Sequence, residues 1–327
     1  MKDTLPKGSS ASGVLSLGQL LEHTPKPTPA LIEPSLLPPA GILFVGGEPK
    51  VGKSLLVANL ALALASGSSR AGFQVPSPRR VLICQFELPT PQFAARLAPM
   101  RKPIGAAADC NLLIDTEATG HLLSAPRGLD HFLDAIRAAQ ADVVVLDPLY
   151  STHDQDENDT RAMAALCQTL LRLRDASHAA LIVVHHVRKS VGRYEIGSAF
   201  RGSSALHAVG DSYLLLVRPS PQIPTVELRF QFRYAPAVEP RLLTLDADSL
   251  WFEASTSFPA PAHARRKVEI ADVQRAVAAS GSARFNQLRQ HIMTQSQCSR
   301  RTAQLAIRHA CKEGSILRDN GQYRLPL

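Results

Sequence analysis

One eight-residue run constrains the fold of this chain more than any other feature. The sequence from Gly47 to Ser54 reads Gly-Glu-Pro-Lys-Val-Gly-Lys-Ser, directly after the apolar stretch 42–45 and directly before a predicted helix over 54–66. A strand, a glycine-containing loop and a helix in this order direct backbone N–H groups and the positive helix end at phosphate oxygens. We expect Lys53 to reach the β- and γ-phosphates of a nucleotide and Ser54 to bind Mg²⁺. The expected nucleotide-binding residues are Gly47, Glu48, Pro49, Lys50, Val51, Gly52, Lys53, Ser54 and Leu55.

Apolar stretches alternate with helical stretches between residues 41 and 254. This alternation predicts an α/β fold of right-handed βαβ units, with a mostly parallel sheet flanked by helices. The predicted strands are 42–45, 81–87, 112–115, 143–147, 181–185, 213–217, 225–234 and 242–252. The predicted helices are 54–66, 91–100, 128–141 and 160–176. Strand 225–234 alternates apolar and polar residues, which indicates a half-exposed strand in an antiparallel extension at the sheet edge.

Two carboxylates stand at the ends of predicted strands. Asp147 closes the apolar run 143–147, as a Walker-B aspartate that enters the metal shell does, although a strand-end Asp can also cap a loop. Glu87 ends the run 81–87 at the carboxyl edge of the sheet, where ligands bind. There Glu87 could orient and deprotonate an attacking water, or it could be a solvated side chain.

A histidine pair and a basic segment follow the strand 181–185. One imidazole of His185 and His186 could sense the γ-phosphate; a metal ligand and a structural histidine are the alternatives. Arg201, beside Gly and Ser at a loop-to-helix junction, suits an arginine finger for a neighbouring subunit, or an ion pair with Asp211. The preceding loop could grip a single DNA strand by charge, or be an ordinary solvated loop. Its expected DNA contacts are Arg188, Lys189 and Arg193.

In this order the elements resemble the RecA-like P-loop ATPases, and within them the RepA-type hexameric replicative helicases of the RepA/DnaB/RadA group. The resemblance covers about residues 14–250. The motifs that carry it are the phosphate loop, Phe-Glu-Leu-Pro, Leu-Asp-Pro-Leu, His-His-Val-Arg-Lys and Arg-Gly-Ser-Ser-Ala-Leu. It implies an AAA-type ATPase that binds ATP and Mg²⁺ between subunits of a homo-oligomer, expected to be a hexameric ring, with single-stranded DNA in the channel.

The resemblance also implies a role for each of the principal side chains. Lys53 and Ser54 look like the phosphate and Mg²⁺ ligands, and Asp147 looks like the Walker-B acid. Glu87 looks like the catalytic base. His185 looks like the γ-phosphate sensor, and Arg201 looks like an arginine finger that acts in the neighbouring subunit.

The net charge of +8 is concentrated at one end of the chain. Residues 263–327 contain twelve Lys or Arg and four Asp or Glu, whereas the first 262 residues contain 24 of each sign. A neutral body with a basic module suggests a polyanionic partner, most often nucleic acid, although charge for solubility is an alternative. The expected organisation is a tail or linker over 1–40, an ATPase domain over 41–254, a linker over 255–266 and a small domain over 267–327.

The C-terminal module resembles a winged helix–turn–helix. Helices are predicted over 267–280, 285–292 and 300–313, followed by two short strands around an Asn-Gly turn. One face of the third helix would enter a DNA major groove, and the wing would lie near phosphates. The expected duplex contacts are Arg300, Arg301, Gln304, Arg308, Arg318 and Arg324. Winged helices also bind proteins, so that alternative stays open.

The sequence also argues against several other classes of protein. The longest near-continuous apolar stretch, 55–65, is too short to span a bilayer, and the first residues lack the apolar segment of a secretory signal. Five scattered cysteines without a Cys-x-x-Cys pair indicate reduced thiols, so we expect a cytoplasmic protein without a membrane partner. Two functions remain: a DNA helicase or translocase in DNA replication, or a nucleotide-switched DNA-binding, loader or recombination-repair ATPase without unwinding activity.

Overall fold

The computed structural model describes residues 14–24, 28–125, 127–157, 159–187, 196, 200, 204–218, 225–255, 268–280, 282–296, 298 and 300–326. The chain forms two compact units, residues 1–256 and 257–327. Each unit encloses its own hydrophobic core, and each is described by itself.

The first unit is built on a nine-stranded sheet with the strand order β3-β2-β4-β5-β1-β6-β7-β8-β9. Every pairing from β3 to β6 is parallel, and every pairing from β6 to β9 is antiparallel. This confirms the mostly parallel sheet with an antiparallel extension. The strands are β1 Ile42–Gly47, β2 Val81–Gln85, β3 Leu112–Asp115, β4 Val143–Asp147, β5 Ala180–His186, β6 Ser212–Val217, β7 Thr225–Phe232, β8 Arg241–Leu245 and β9 Phe252–Ala254.

Helices cover both faces of this sheet. The helices of the first unit are α1 Leu17–His23, α2 Lys53–Ser66, α3 Thr90–Arg101, α4 Gly128–Ala139, α5 Thr160–Ser177 and α6 Ser204–Val209. Side chains of α2 and α3 join the core on one face, and those of α4, α5 and α6 join the core on the other. Burial of β1, β2 and β4 on both faces explains why these strands are continuous apolar runs.

The segment that precedes β1 also packs against the body. Ile32 and Leu37 are fully buried and belong to the same core as α2. The backbone of Glu33 pairs with that of Gln74 in an isolated bridge. Part of the stretch that the sequence suggests as a tail or linker therefore lies within the first unit.

Several predicted strands have the wrong extent; the strand predicted over 225–234, for example, ends at Phe232. The single strand predicted over 242–252 is in fact two strands, β8 and β9, because the chain reverses between them. Asp246 accepts from the backbone N–H and the hydroxyl of Ser249, and Leu250 adopts a positive φ of 56°. The strand predicted to reach residue 87 ends at Gln85, whose side-chain oxygen accepts hydrogen bonds from the backbone N–H groups of Glu87 and Leu88 and turns the chain out of the sheet.

The second unit contains three helices and a small sheet. Its helices are α7 Ile270–Ser280, α8 Phe285–Gln295 and α9 Arg300–Lys312, and its strands are β10 Ala283–Arg284, β11 Leu317–Asp319 and β12 Gln322–Arg324. The antiparallel pairing of β11 with β12 confirms the predicted hairpin, whose Asn320 and Gly321 both have positive φ. The short strand β10, which pairs with β12, was not predicted.

The helices of the described residues are all too short or too polar to cross a lipid bilayer.

Candidate nucleotide-binding site

The loop between β1 and α2 is held in a conformation that needs glycine. Gly52 has φ 108° and ψ 16°, a backbone region that L side chains rarely adopt. A Cβ atom on Gly52 would lie 3.0 Å from the Phe252 ring, and one on Gly47 would lie 2.8 Å from the carbonyl oxygen of Leu216. The loop is therefore packed closely against β6 and β9. The first turn of α2 follows directly and offers N–H groups to an anion.

Lys53 begins α2, and its ammonium group lies on the inner side of this loop. Nζ donates to the carbonyl oxygens of Gly47 at 2.9 Å and Glu48 at 3.0 Å, and lies 3.0 Å from His186 Nδ1. The side chain is buried. Burial lowers the pKa of Lys53 to about 8, while the nearby carboxylates of Asp147 and Glu87 oppose that shift.

Ser54 and Asp147 bring two oxygen ligands together beside the loop. Asp147 ends β4, and its Oδ1 accepts from the Ser54 hydroxyl at 3.0 Å. Burial raises the pKa of Asp147 to about 6; the Ser54 hydrogen bond opposes the shift, and so do the charges of Lys53 and Arg96. A buried carboxylate paired with a hydroxyl is a donor set that Mg²⁺ prefers, so these residues fit that ion.

Glu87 lies just beyond the end of β2, next to the loop that follows β4. Strands β2 and β4 pair with each other, and Gln85 at the end of β2 is in register with Asp147 at the end of β4. Past the ends of these two strands, Glu87 Oε1 accepts a hydrogen bond from the Tyr150 hydroxyl at 2.5 Å. This bond is the main reason that the pKa of Tyr150 is raised above its ordinary value. Tyr150 was not predicted as a site residue.

The two histidines that end β5 point to opposite faces of the sheet. His186 Nδ1 lies 3.0 Å from Lys53 Nζ, and burial lowers the pKa of His186. His185 packs on the other face, with its ring 6.5 Å from that of Phe200. The structure therefore brings His186 to the phosphate loop, whereas the resemblance pointed to His185. The described residues include no group of three His, Cys, Asp or Glu side chains that could hold a metal ion.

Four arginine or lysine residues predicted for the first unit lie outside the described residues. These are Arg188, Lys189, Arg193 and Arg201. Asp211, the alternative partner of Arg201, accepts from the backbone N–H of Ile42 at 2.8 Å and lies 4.0 Å from Arg233.

Arg218 is a further cation at the loop that the sequence analysis missed. Its Nη2 donates to the carbonyl oxygen of Lys50 at 3.2 Å, and that of Val51 lies at 3.5 Å. Arg218 directly follows β6, which pairs with β1. The sequence signal that could have identified Arg218 is its position directly after a predicted strand of the parallel sheet.

In the second unit, α9 presents its cations away from its core. Ala303, Ile307 and Ala310 are buried, while Arg300, Arg301 and Arg308 are exposed and Gln304 is half-buried. The two arginines of the β11–β12 hairpin differ in their contacts. Arg318 lies over the Tyr323 ring at 6.0 Å, and Arg324 forms an exposed ion pair with Asp319 at 3.2 Å.

Two solved structures with 14% sequence identity share the fold of the first unit. One, an ATPase domain, has a TM-score of 0.51, covering 65% of this chain and 84% of that one. The other, a DnaB-like replicative helicase solved in a study of its interactions with primase, also has a TM-score of 0.51, covering 66% of this chain and 57% of that one. A KaiC-like protein from Pyrococcus horikoshii has a TM-score of 0.46 at 11% identity, covering 67% and 93%. No curated protein matches by sequence.

The sheet order, the glycine loop and the strand-end carboxylate are those of a RecA-like P-loop NTPase. A family model for AAA domains, AAA_25, matches residues 10–192, which is more than half of the chain. The chain therefore belongs to the AAA_25 family of P-loop ATPase domains.

Proposed function

We propose that this protein is an oligomeric ATPase that works on DNA, as a RepA-like replicative helicase or translocase. The observation that carries the ATPase assignment is the convergence of five side chains at the carboxyl edge of the sheet. These side chains are Lys53, Ser54, Glu87, Asp147 and His186. The shared fold with a DnaB-like helicase and the basic second unit support DNA as the partner.

The geometry suggests how hydrolysis would proceed. Loop N–H groups and Lys53 hold the triphosphate, and Ser54 and Asp147 would hold Mg²⁺, which supplies positive charge to the phosphate oxygens when bound. Glu87 orients a water and accepts its proton as the water oxygen bonds to the γ-phosphorus. The bond from that phosphorus to the β–γ bridging oxygen breaks, and its electron pair leaves with ADP. His186, beside Lys53, is the imidazole positioned to contact the γ-phosphate.

The oligomeric part of the proposal assigns Arg201 to the neighbouring site, in a hexameric ring. Arg201→Ala should abolish turnover while ATP binding persists. Mixing Arg201→Ala with Glu87→Ala protein should restore some turnover, because mixed interfaces would contain one intact Arg201 and one intact Glu87. An absence of rescue at every mixing ratio contradicts action between subunits.

The second unit is proposed to be a winged helix that binds duplex DNA, following a linker over 255–266. Exposed arginines on α9, opposite its buried face, support this role. Arg308→Ala should weaken duplex binding without changing basal ATP turnover. Unchanged duplex affinity would favour a protein partner for this unit.

The decisive experiment measures ATP turnover with and without single-stranded DNA, and the unwinding of a forked duplex. Strong stimulation by single strands, and unwinding that Lys53→Ala abolishes, establish the motor. Residues Arg188, Lys189 and Arg193 would then grip the strand. The basic second unit also favours another candidate, a nucleotide-switched DNA-binding or loader ATPase. Turnover indifferent to DNA, together with ATP-dependent duplex binding, establishes that switch.

A further inference from the structure

Tyr150 is a half-exposed aromatic residue whose polar end is engaged. It lies three residues after Asp147, in the short helical turn Leu149–Thr152, and 42% of its surface is exposed. Its hydroxyl donates to Glu87 Oε1 at 2.5 Å, although the two residues are 63 positions apart in the chain. Hydrogen bonds to carboxylates are in general stronger than those between neutral groups.

We propose that Tyr150 is a positioning residue that holds the Glu87 carboxylate in the orientation needed to activate water. The inference rests on the role of Glu87 in the proposed function. With Oε1 occupied by the Tyr150 hydroxyl, the other carboxylate oxygen, Oε2, is the one that accepts the proton from water.

Glu87 needs such a partner because its backbone is fixed but its side chain is long. The Gln85 side chain holds the backbone N–H groups of Glu87 and Leu88 at 2.5 and 3.0 Å. A glutamate has several rotatable side-chain bonds, and each freely rotating bond lowers the fraction of time in the reactive geometry. The Tyr150 hydrogen bond restricts that rotation.

Tyr150 also connects Glu87 with the phosphate side of the site. Its ring centroid lies 5.4 Å from that of His186, whose Nδ1 lies 3.0 Å from Lys53 Nζ. The proposed base and the imidazole near the phosphates therefore share one aromatic neighbour. A displacement of this tyrosine would alter both of them.

The turn that carries Tyr150 is anchored at both ends. Leu149 is fully buried, and the Thr152 hydroxyl donates to the Leu149 carbonyl oxygen at 2.7 Å. The Thr152 carbonyl oxygen accepts from the backbone of Leu123, also at 2.7 Å. The acidic segment 154–159 follows directly. Tyr150 is thus the point at which the loop after β4 can act on the catalytic carboxylate.

The test removes only the hydroxyl, with Tyr150→Phe in the full chain. A matched control is Tyr234→Phe, because Tyr234 is 71% exposed beyond the end of β7, remote in sequence from the loop. We expect Tyr150→Phe to lower kcat about 10-fold or more, with KM and ATP affinity by equilibrium binding within about twofold of wild type. Tyr234→Phe should retain wild-type kcat.

A double-variant comparison separates positioning from a structural effect. If Tyr150 acts through Glu87, adding Tyr150→Phe to Glu87→Gln should lower the residual turnover no further. A further loss equal to that of the single variant overturns the proposal, and so does a higher or unchanged kcat in Tyr150→Phe. If wild type hydrolyses ATP and Glu87→Gln keeps only a small, measurable part of that turnover, those results refute only the role of Tyr150. If wild type does not hydrolyse ATP, both proposals are wrong. If Glu87→Gln is as active as wild type, Glu87 is not the base and the role of Tyr150 is wrong with it, while the ATPase function stands.

Discussion

His185 is a buried histidine that the fold holds in its neutral form. Burial is the main cause that lowers its pKa to about 4, and the neighbouring His186, Lys53 and His153 lower it further. Its Nδ1 has no hydrogen-bond partner within the described part of the chain. A charged imidazole at this position would lack solvent and would be repelled by the positive charge of Lys53, which explains the direction of the shift.

Folding stability should consequently depend on pH through His185. The unfolded chain binds a proton near pH 6.5, whereas the folded chain binds it only near pH 4, so stability is complete above 6.5 and falls as the pH drops toward 4. Between pH 7 and 5 the loss should be about 2 kcal/mol. Denaturant titrations should show that His185→Gln removes this part of the pH dependence.

The control for that measurement is His309→Gln, because His309 is exposed on α9. It should keep the wild-type pH dependence. An identical loss of stability between pH 7 and 5 in wild type and His185→Gln would contradict the assignment.

Among the secondary-structure elements, the β8–β9 hairpin supports the nucleotide loop through one buried amide. Asn59, in the middle of α2, accepts from the Phe252 N–H at 2.8 Å and donates to the Leu250 carbonyl oxygen at 3.1 Å. The Phe252 ring lies where a Cβ atom on Gly52 would contact it. The hairpin, the helix and the loop are therefore joined at this point.

Asn59→Leu should weaken both stability and nucleotide binding. The substitution keeps the branched shape of the side chain but leaves the Phe252 N–H and the Leu250 carbonyl oxygen without their partner, so we expect a loss of about 2–4 kcal/mol. Because Phe252 packs on the loop, KM for ATP should also rise. Urea titration and steady-state kinetics measure the two effects.

Asn111→Leu is the matched control for this prediction. Asn111 donates one hydrogen bond, to the Ala65 carbonyl oxygen near the other end of α2. This variant should lose less stability and keep its KM. Equal changes of KM in the two variants would show that the hairpin does not support the loop.

Across the molecule as a whole, the two units have separate cores. Ile307 is buried in a cluster formed entirely by the second unit, and Ile136 is buried in a cluster of the first. The second unit spans only residues 257–327, and a unit of this size has little stability to spare.

Ile307→Ala should therefore destabilise the second unit selectively. Removal of a buried isoleucine side chain costs about 2–5 kcal/mol, which lowers the melting temperature of that unit. Differential scanning calorimetry should show one transition shifted and the other unchanged, with basal ATP turnover retained. Ile136→Ala should shift the other transition. A single transition that moves in both variants would contradict independent cores.

How far the fold and the site can be predicted depends on the range of the interactions. The Lys53 loop and the continuous apolar run that ends at Asp147 are local signals, because backbone conformation and side-chain period act over a few residues. The reversal of the chain beyond Asp246 was missed, since its Asp–Ser hydrogen bonds compete with the strand propensity around it.

Local patterns in the chain were enough to predict the phosphate loop, the order of strands and helices, and the basic C-terminal unit. The placement of His186, rather than His185, beside Lys53 came from the folded sheet, because side chains alternate along a strand and one residue of register exchanges the faces. Likewise, it is the pairing of β2 with β4 that brings Tyr150 to Glu87. Such contacts join residues far apart in the chain, and they form only when the sheet sets which strands are neighbours.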